Sequence, residues 1–262
     1  MLKSAELPSK PHTHLQTTLA SFVLLITIGE LSLAIPIPLL TLSAHLLATL
    51  LIVYTLILQA ELKLTRLYFS LLIIPLIRII SIVIPISTWP RITWYIAISL
   101  PLFLAIGLVI QQTHWPLLEL GHSHRNLLSQ LAMAIFGFWI GLGQYFILKP
   151  DPLITELTWH TVWFPALVLL ITTGYLEELL FRGLLLHAAT ILVGNWRGVL
   201  LTATLTALMQ LSHLSLRNLA SVFAIAVLYG VIVVRTRSLV GVTLMHGITN
   251  ISLFLLWPFW LN

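Results

Sequence analysis

Residues 171–187 read ITTGYLEELLFRGLLLH: a helix-length apolar run with Glu177, Glu178 and Arg182 inside it. In a soluble protein these three would form a solvated face. Within a bilayer each ionised side chain costs at least about 2.5–3.5 kcal/mol, so the three must face protein or an internal cavity. Which solvent surrounds this helix decides the fold.

Composition answers that question. Hydrophobic residues make up 59% of the 262 and charged residues only 8%, against about 25% charged in soluble domains. So few charges cannot wet a surface of this size. Segments of about 20 apolar residues, enough to cross a hydrocarbon core of about 30 Å, recur near 18–38, 42–60, 67–87, 92–112, 127–148, 161–189, 197–213, 218–235 and 239–257. The expected fold is an all-α polytopic membrane bundle of eight to nine helices. Residues 1–16 form a polar tail, 17–150 the N-terminal helices, and 151–262 a unit holding nearly all the polar residues at membrane depth. The boundary falls at Lys149-Pro150-Asp151-Pro152. Pro75, Pro101 and Pro165 fall in or near spans and are expected to kink them.

Charge sets the orientation. With nine spans, Lys3, Lys10, Lys63, Arg66, Arg125, Arg197, Arg235 and Arg237 share one side, and Arg91, Lys149 and Arg217 the other. The positive-inside rule then places the N-terminus in the cytoplasm, and a bacterial plasma membrane is the expected setting. The net charge of +5 is scattered between apolar runs, so no nucleic-acid partner is expected. The absence of cysteine removes thiolate chemistry and disulfides. No small-residue cleavage site follows the first apolar stretch, which reads as a span rather than a leader.

Helical geometry sorts the charges of the sixth span. Glu178 and Arg182 are four apart, the acid first, which suits an ion pair on one face. Glu177 points about 100° away and is left to act as a base, a role that an unpaired carboxylate in a low-dielectric cavity suits. Thr173 and Gly174, one turn earlier, are expected to leave room for water or substrate. His213 ends the next span with Gln210 on its face. In LMHGITN, His246 and Asn250 lie four apart on one face, and Gly247 and Gly241 permit close approach of another backbone. A carboxylate, two imidazoles and an amide on three helices suffice to activate water and hold an oxyanion. Set against this, membrane histidines and asparagines often only hydrogen-bond between helices. Arg78 and Glu30 read as structural, either as one ion pair or with Arg78 snorkelling to the headgroups, His187 as interfacial, and Trp89, Trp94, Trp257 and Trp260 as belt residues.

The run EELLFRG, a histidine closing the next span, and H-x-x-x-N in the last one resemble the CPBP family over roughly residues 151–257. That family contains the type II CAAX prenyl endopeptidases and bacterial relatives linked to bacteriocin self-immunity. The resemblance implies an intramembrane endopeptidase acting on a membrane-associated protein or peptide. Glu177 would activate water with help from His213, and His246 and Asn250 would bind the oxyanion. Glu178 and Arg182 would orient the site. The family's second motif usually has an aromatic four residues before the histidine; Met209 stands there and can fill the same space. No cofactor is expected. Should a metal be used, zinc on Glu177, His213 and His246 would be the alternative; the neighbouring arginine opposes a cation. The competing functions are a non-enzymatic immunity or partner-binding membrane protein and a proton-coupled transporter, the latter disfavoured by the lack of inverted repeats.

Overall fold

A computed structural model describes residues 11–35, 37–58, 61–84, 89–123 and 127–261, with the side chains of 11–13 excepted. Lys3, Lys10 and Arg125, on which part of the charge asymmetry rests, lie outside the described residues. Helices fill the described chain, as the composition requires: α1 (Pro11–Ala34), α2 (Pro38–Leu58), α3 (Leu62–Val83) and α4 (Arg91–Gln112). They continue with α5 (Leu127–Leu148), α6 (Trp159–Val193), α7 (Asn195–Leu208), α8 (Leu216–Thr236) and α9 (Val240–Trp260). The protein is an all-α integral membrane bundle. α1 begins at Pro11, inside the stretch expected to be a polar tail.

Eight of these helices are long and apolar enough to cross a membrane; the expected seventh span is not. α7 has 14 residues, about 21 Å at 1.5 Å per residue. Its start lies beside α6 and the end of α8: Gly198 contacts Thr190, and Gly230 contacts Val199. At the far end, Ser221, one turn into α8, accepts from Gln144 of α5 (3.2 Å). The nine spans on which the charge count rests are thus not met by the eight qualifying helices, and between α7 and α8 the segment 209–215 is irregular. Backbone of that kind is tolerated at membrane depth only against protein or a cavity.

α6 is the axis of the molecule. It packs on α3, α4, α7, α8 and α9, and Leu184, Leu185 and Leu169 on it are fully buried. The outer faces carry leucine and isoleucine open to the surroundings, such as Leu39, Ile57 and Leu128, as a lipid-facing surface demands. At 35 residues, α6 is longer than a membrane is thick. Gly194, at φ +85°, makes the corner into α7.

Candidate active site

The acidic pair sits where α6 departs from ordinary helix. Leu170–Tyr175 and Leu179–Leu186 are π-helical, and the short α-helical turn Leu176–Glu178 lies between them. Such widened turns recur at functional sites. Here they lodge between close-packed neighbours. A Cβ on Gly174 would lie 2.8 Å from the Thr243 carbonyl oxygen, and one on Gly247 would lie 2.4 Å from Leu170 Cδ1. The expectation that Gly174 leaves room for water or substrate is thus corrected: its small size is used up by the α6–α9 contact. Thr173, its neighbour, does line the cavity.

That cavity has a volume of about 490 Å³, within the range of ligand sites. Glu177 and His213 both line it, with Gln210 beside them. α7 ends at Leu208, and a 3₁₀ turn, Leu211–His213, brings the histidine round. That turn, rather than a span continuing through 213, places His213 on the cavity that Glu177 lines. Met209 is buried and also faces the cavity, filling the position where the family pattern has an aromatic.

Glu178 and Arg182 make the expected pair, Oε1 accepting from Nη1 at 3.1 Å with both side chains buried. The same oxygen also accepts from His246 Nδ1 at 2.7 Å. A carboxylate already paired on its own helix carries no sequence signal that it also holds a histidine on α9. The bond fixes the imidazole and turns its other nitrogen outward: Nε2 lies 4.0 Å from Glu177 Oε2. Arg182 continues to the Ala226 carbonyl (3.4 Å) and lies over the ring of Tyr229, which also packs beside His246. Nothing in the sequence marks Tyr229, because an aromatic in an apolar span carries no distinguishing pattern. Glu177 is 43% exposed and Glu178 is fully buried, so only the former is offered to a bound molecule. Asn250 follows His246 by one turn of α9.

The opposite wall comes from outside the motifs. α4 presents Trp94, Tyr95, Ile98 and Leu102 on one face, a helical stripe at i, i+1, i+4 and i+8. Trp94, read from sequence as an interfacial belt residue, lines the cavity instead. Among the described residues no three histidine or carboxylate side chains gather at a spacing that could hold a metal ion. The alternative zinc set of Glu177, His213 and His246 therefore does not form such a group among the described residues.

Residues 158–252 match the family model described as type II CAAX prenyl endopeptidase Rce1-like. This segment is similar to that family over somewhat more than a third of the chain. The match runs from the start of α6 into the second half of α9 and contains Glu177, Glu178, Arg182, His213, His246 and Asn250. At family level this similarity implies CAAX-type intramembrane protease activity. α1 to α5 lie outside it. Comparisons with curated proteins and with solved structures gave no match.

Proposed function

We propose that this protein is an intramembrane endopeptidase that hydrolyses a peptide bond of a membrane-associated protein or peptide, without a cofactor, using water activated by Glu177. The observation that carries the reading is the meeting of Glu177 and His213, from separate elements, on one cavity, with His246 held behind Glu177 by Glu178.

In this mechanism Glu177 removes a proton from water hydrogen-bonded to His213. The hydroxide oxygen bonds to the scissile carbonyl carbon, and the carbonyl electron pair moves onto oxygen. His246 and Asn250 donate to that oxyanion. Because Nδ1–H of His246 is engaged with Glu178, Nε2 can donate only from the imidazolium form. Charge balance supports that form: Glu177 and Glu178 bring two negative charges, Arg182 one positive, and an imidazolium closes the sum at zero. The tetrahedral intermediate then collapses, the C–N bond breaks, and Glu177 returns its proton to the leaving amine. Each oxyanion donor supplies roughly 10²–10³ in rate.

The test is an unbiased mass-spectrometric comparison of peptides from membranes incubated with the purified protein or with Glu177→Ala. New termini present only with the unaltered protein are expected. Identical peptide sets would overturn the proposal and leave the buried network as a folding device of a non-enzymatic partner-binding protein.

A further inference from the structure

Among the described residues the His213 side chain has no hydrogen-bond partner, so the place of its imidazole is set by the backbone that carries it. That backbone is tied from outside the Rce1-like segment. Arg78, on α3, donates from Nη2 to the carbonyl of Met209, the residue that caps the C-terminus of α7. The last carbonyls of a helix lack intrahelical donors, and a cation there is favoured by the helix dipole. Beyond Met209 the turn is closed by short local bonds, such as His213 N to Gln210 O (3.2 Å) and Leu214 N to Leu211 O (3.0 Å). Leu214 at φ +49° then turns it into α8.

Arg78 is itself immobilised. Glu30 of α1 is fully buried and takes Arg78 in a fork, Nε to Oε1 at 2.6 Å and Nη2 to Oε2 at 2.8 Å. His45 of α2 stands 3.5 Å from the same carboxylate, with its ring against Gly29, where a Cβ would come within 2.3 Å. α1 also packs directly on the Leu211–His213 turn, and Arg78 lines the same cavity as Glu177 and His213. A planar guanidinium can hold a carboxylate with two nitrogens and still donate to a carbonyl; an ammonium cannot reproduce that fork.

We propose that Arg78, held by Glu30, is a positioning residue that fixes the turn carrying His213 at the cavity. Its catalytic consequence rests on the hydrolytic reading above; its structural consequence does not. The N-terminal helices then form a working part of the site.

The absence of cysteine allows a background-free test. Nitroxide labels on Leu214→Cys and Leu228→Cys, both exposed, report the distance between the turn and α8 in full-length protein in nanodiscs. Arg78→Met should broaden that distance distribution at least about twofold, and Glu177→Gln should leave it unchanged. With a synthetic peptide spanning a mapped cut, Arg78→Met should lower kcat by about 10- to 100-fold, the scale of a misplaced catalytic group, with KM nearly constant. Arg78→Lys keeps the charge opposite Glu30 and loses the fork, so it should fall between the two; it also serves if Arg78→Met fails to fold. An unaltered distribution in the Arg78 variant that folds would overturn the proposal. If no peptide is cut by the unaltered protein, the hydrolytic reading fails while the distance measurement still decides the positioning role.

Discussion

Two buried carboxylate–guanidinium pairs serve this molecule in different ways. Glu30 and Arg78 are 48 positions apart and meet as a fork, with both carboxylate oxygens engaged at 2.6 and 2.8 Å. Glu178 and Arg182 are four apart on one helix and meet through a single oxygen at 3.1 Å. That oxygen also receives His246, while Glu178 Oε2 and Arg182 Nε have no hydrogen-bond partner among the described residues. The first pair closes a tertiary contact with both carboxylate oxygens engaged, and its guanidinium reaches on to the Met209 carbonyl. The second forms within its own helix and keeps capacity to hold something else. A pair that is local in sequence can orient a third group because its own formation needs no other helix; a long-range pair must first bring two helices together before its guanidinium can hold a third.

The contrast can be broken, and the largest effect tests its chemical side. Glu177→Gln should abolish hydrolysis, because an amide cannot accept the proton, yet leave the unfolding temperature in detergent nearly unchanged. Undiminished cleavage by this variant would remove Glu177 from the mechanism. Removing one partner of either pair should act the other way: Arg182→Ala and Glu30→Gln each leave a buried group unpaired, at a cost of about 3–5 kcal/mol in stability. Thermal unfolding beside Glu177→Gln checks this, and equal destabilisation by all three would erase the division between structural and chemical carboxylates.

His246→Ala and Asn250→Ala should each lower kcat by about 10²–10³ with KM little altered, since the donor acts mainly in the transition state. A change confined to KM would make them substrate contacts instead. Gly174→Ala sharpens the packing side of the contrast. Its methyl meets the Thr243 carbonyl at 2.8 Å, and overpacking of this kind costs about 1–3 kcal/mol, read as a fall in unfolding temperature. The smallest expected effect is none: a strong chelator should leave turnover unchanged. Stoichiometric zinc in the purified protein, lost in His213→Ala or His246→Ala, would reverse that expectation.

One ion pair is fully legible in the amino-acid sequence. Glu178–Arg182 follows from spacing on a single helix, whereas for Glu30 and Arg78 the sequence leaves a pair and a snorkelling arginine as alternatives, and the structure shows the pair. The close approach at Gly247 and Gly241 is also readable, since only a neighbouring backbone exploits a missing side chain; the former meets Leu170 and the latter Gln130. The length of α7 is not. Met209, Leu211 and Leu214 continue at helical spacing past Leu208, and the helix stops where a distant arginine takes the Met209 carbonyl. The role of Gly174 is hidden for a similar reason: a glycine beside a reactive group can serve a substrate or a neighbouring helix, and only the neighbour's position distinguishes them.

The solvent and the helical class belong to the sequence, because 59% apolar and 8% charged residues are compatible with no other surroundings. So does the choice of which charges must be internal, because bilayer desolvation is too costly to leave them facing lipid. Tertiary structure alone decides that His246 is held by Glu178, that His213 turns into the cavity of Glu177, and that α3 and α4 wall that cavity. Those outcomes depend on how helices far apart in the chain are placed. Periodicity and spacing report only which face of one helix a residue occupies, and an apolar span presents much the same face to lipid as to another helix.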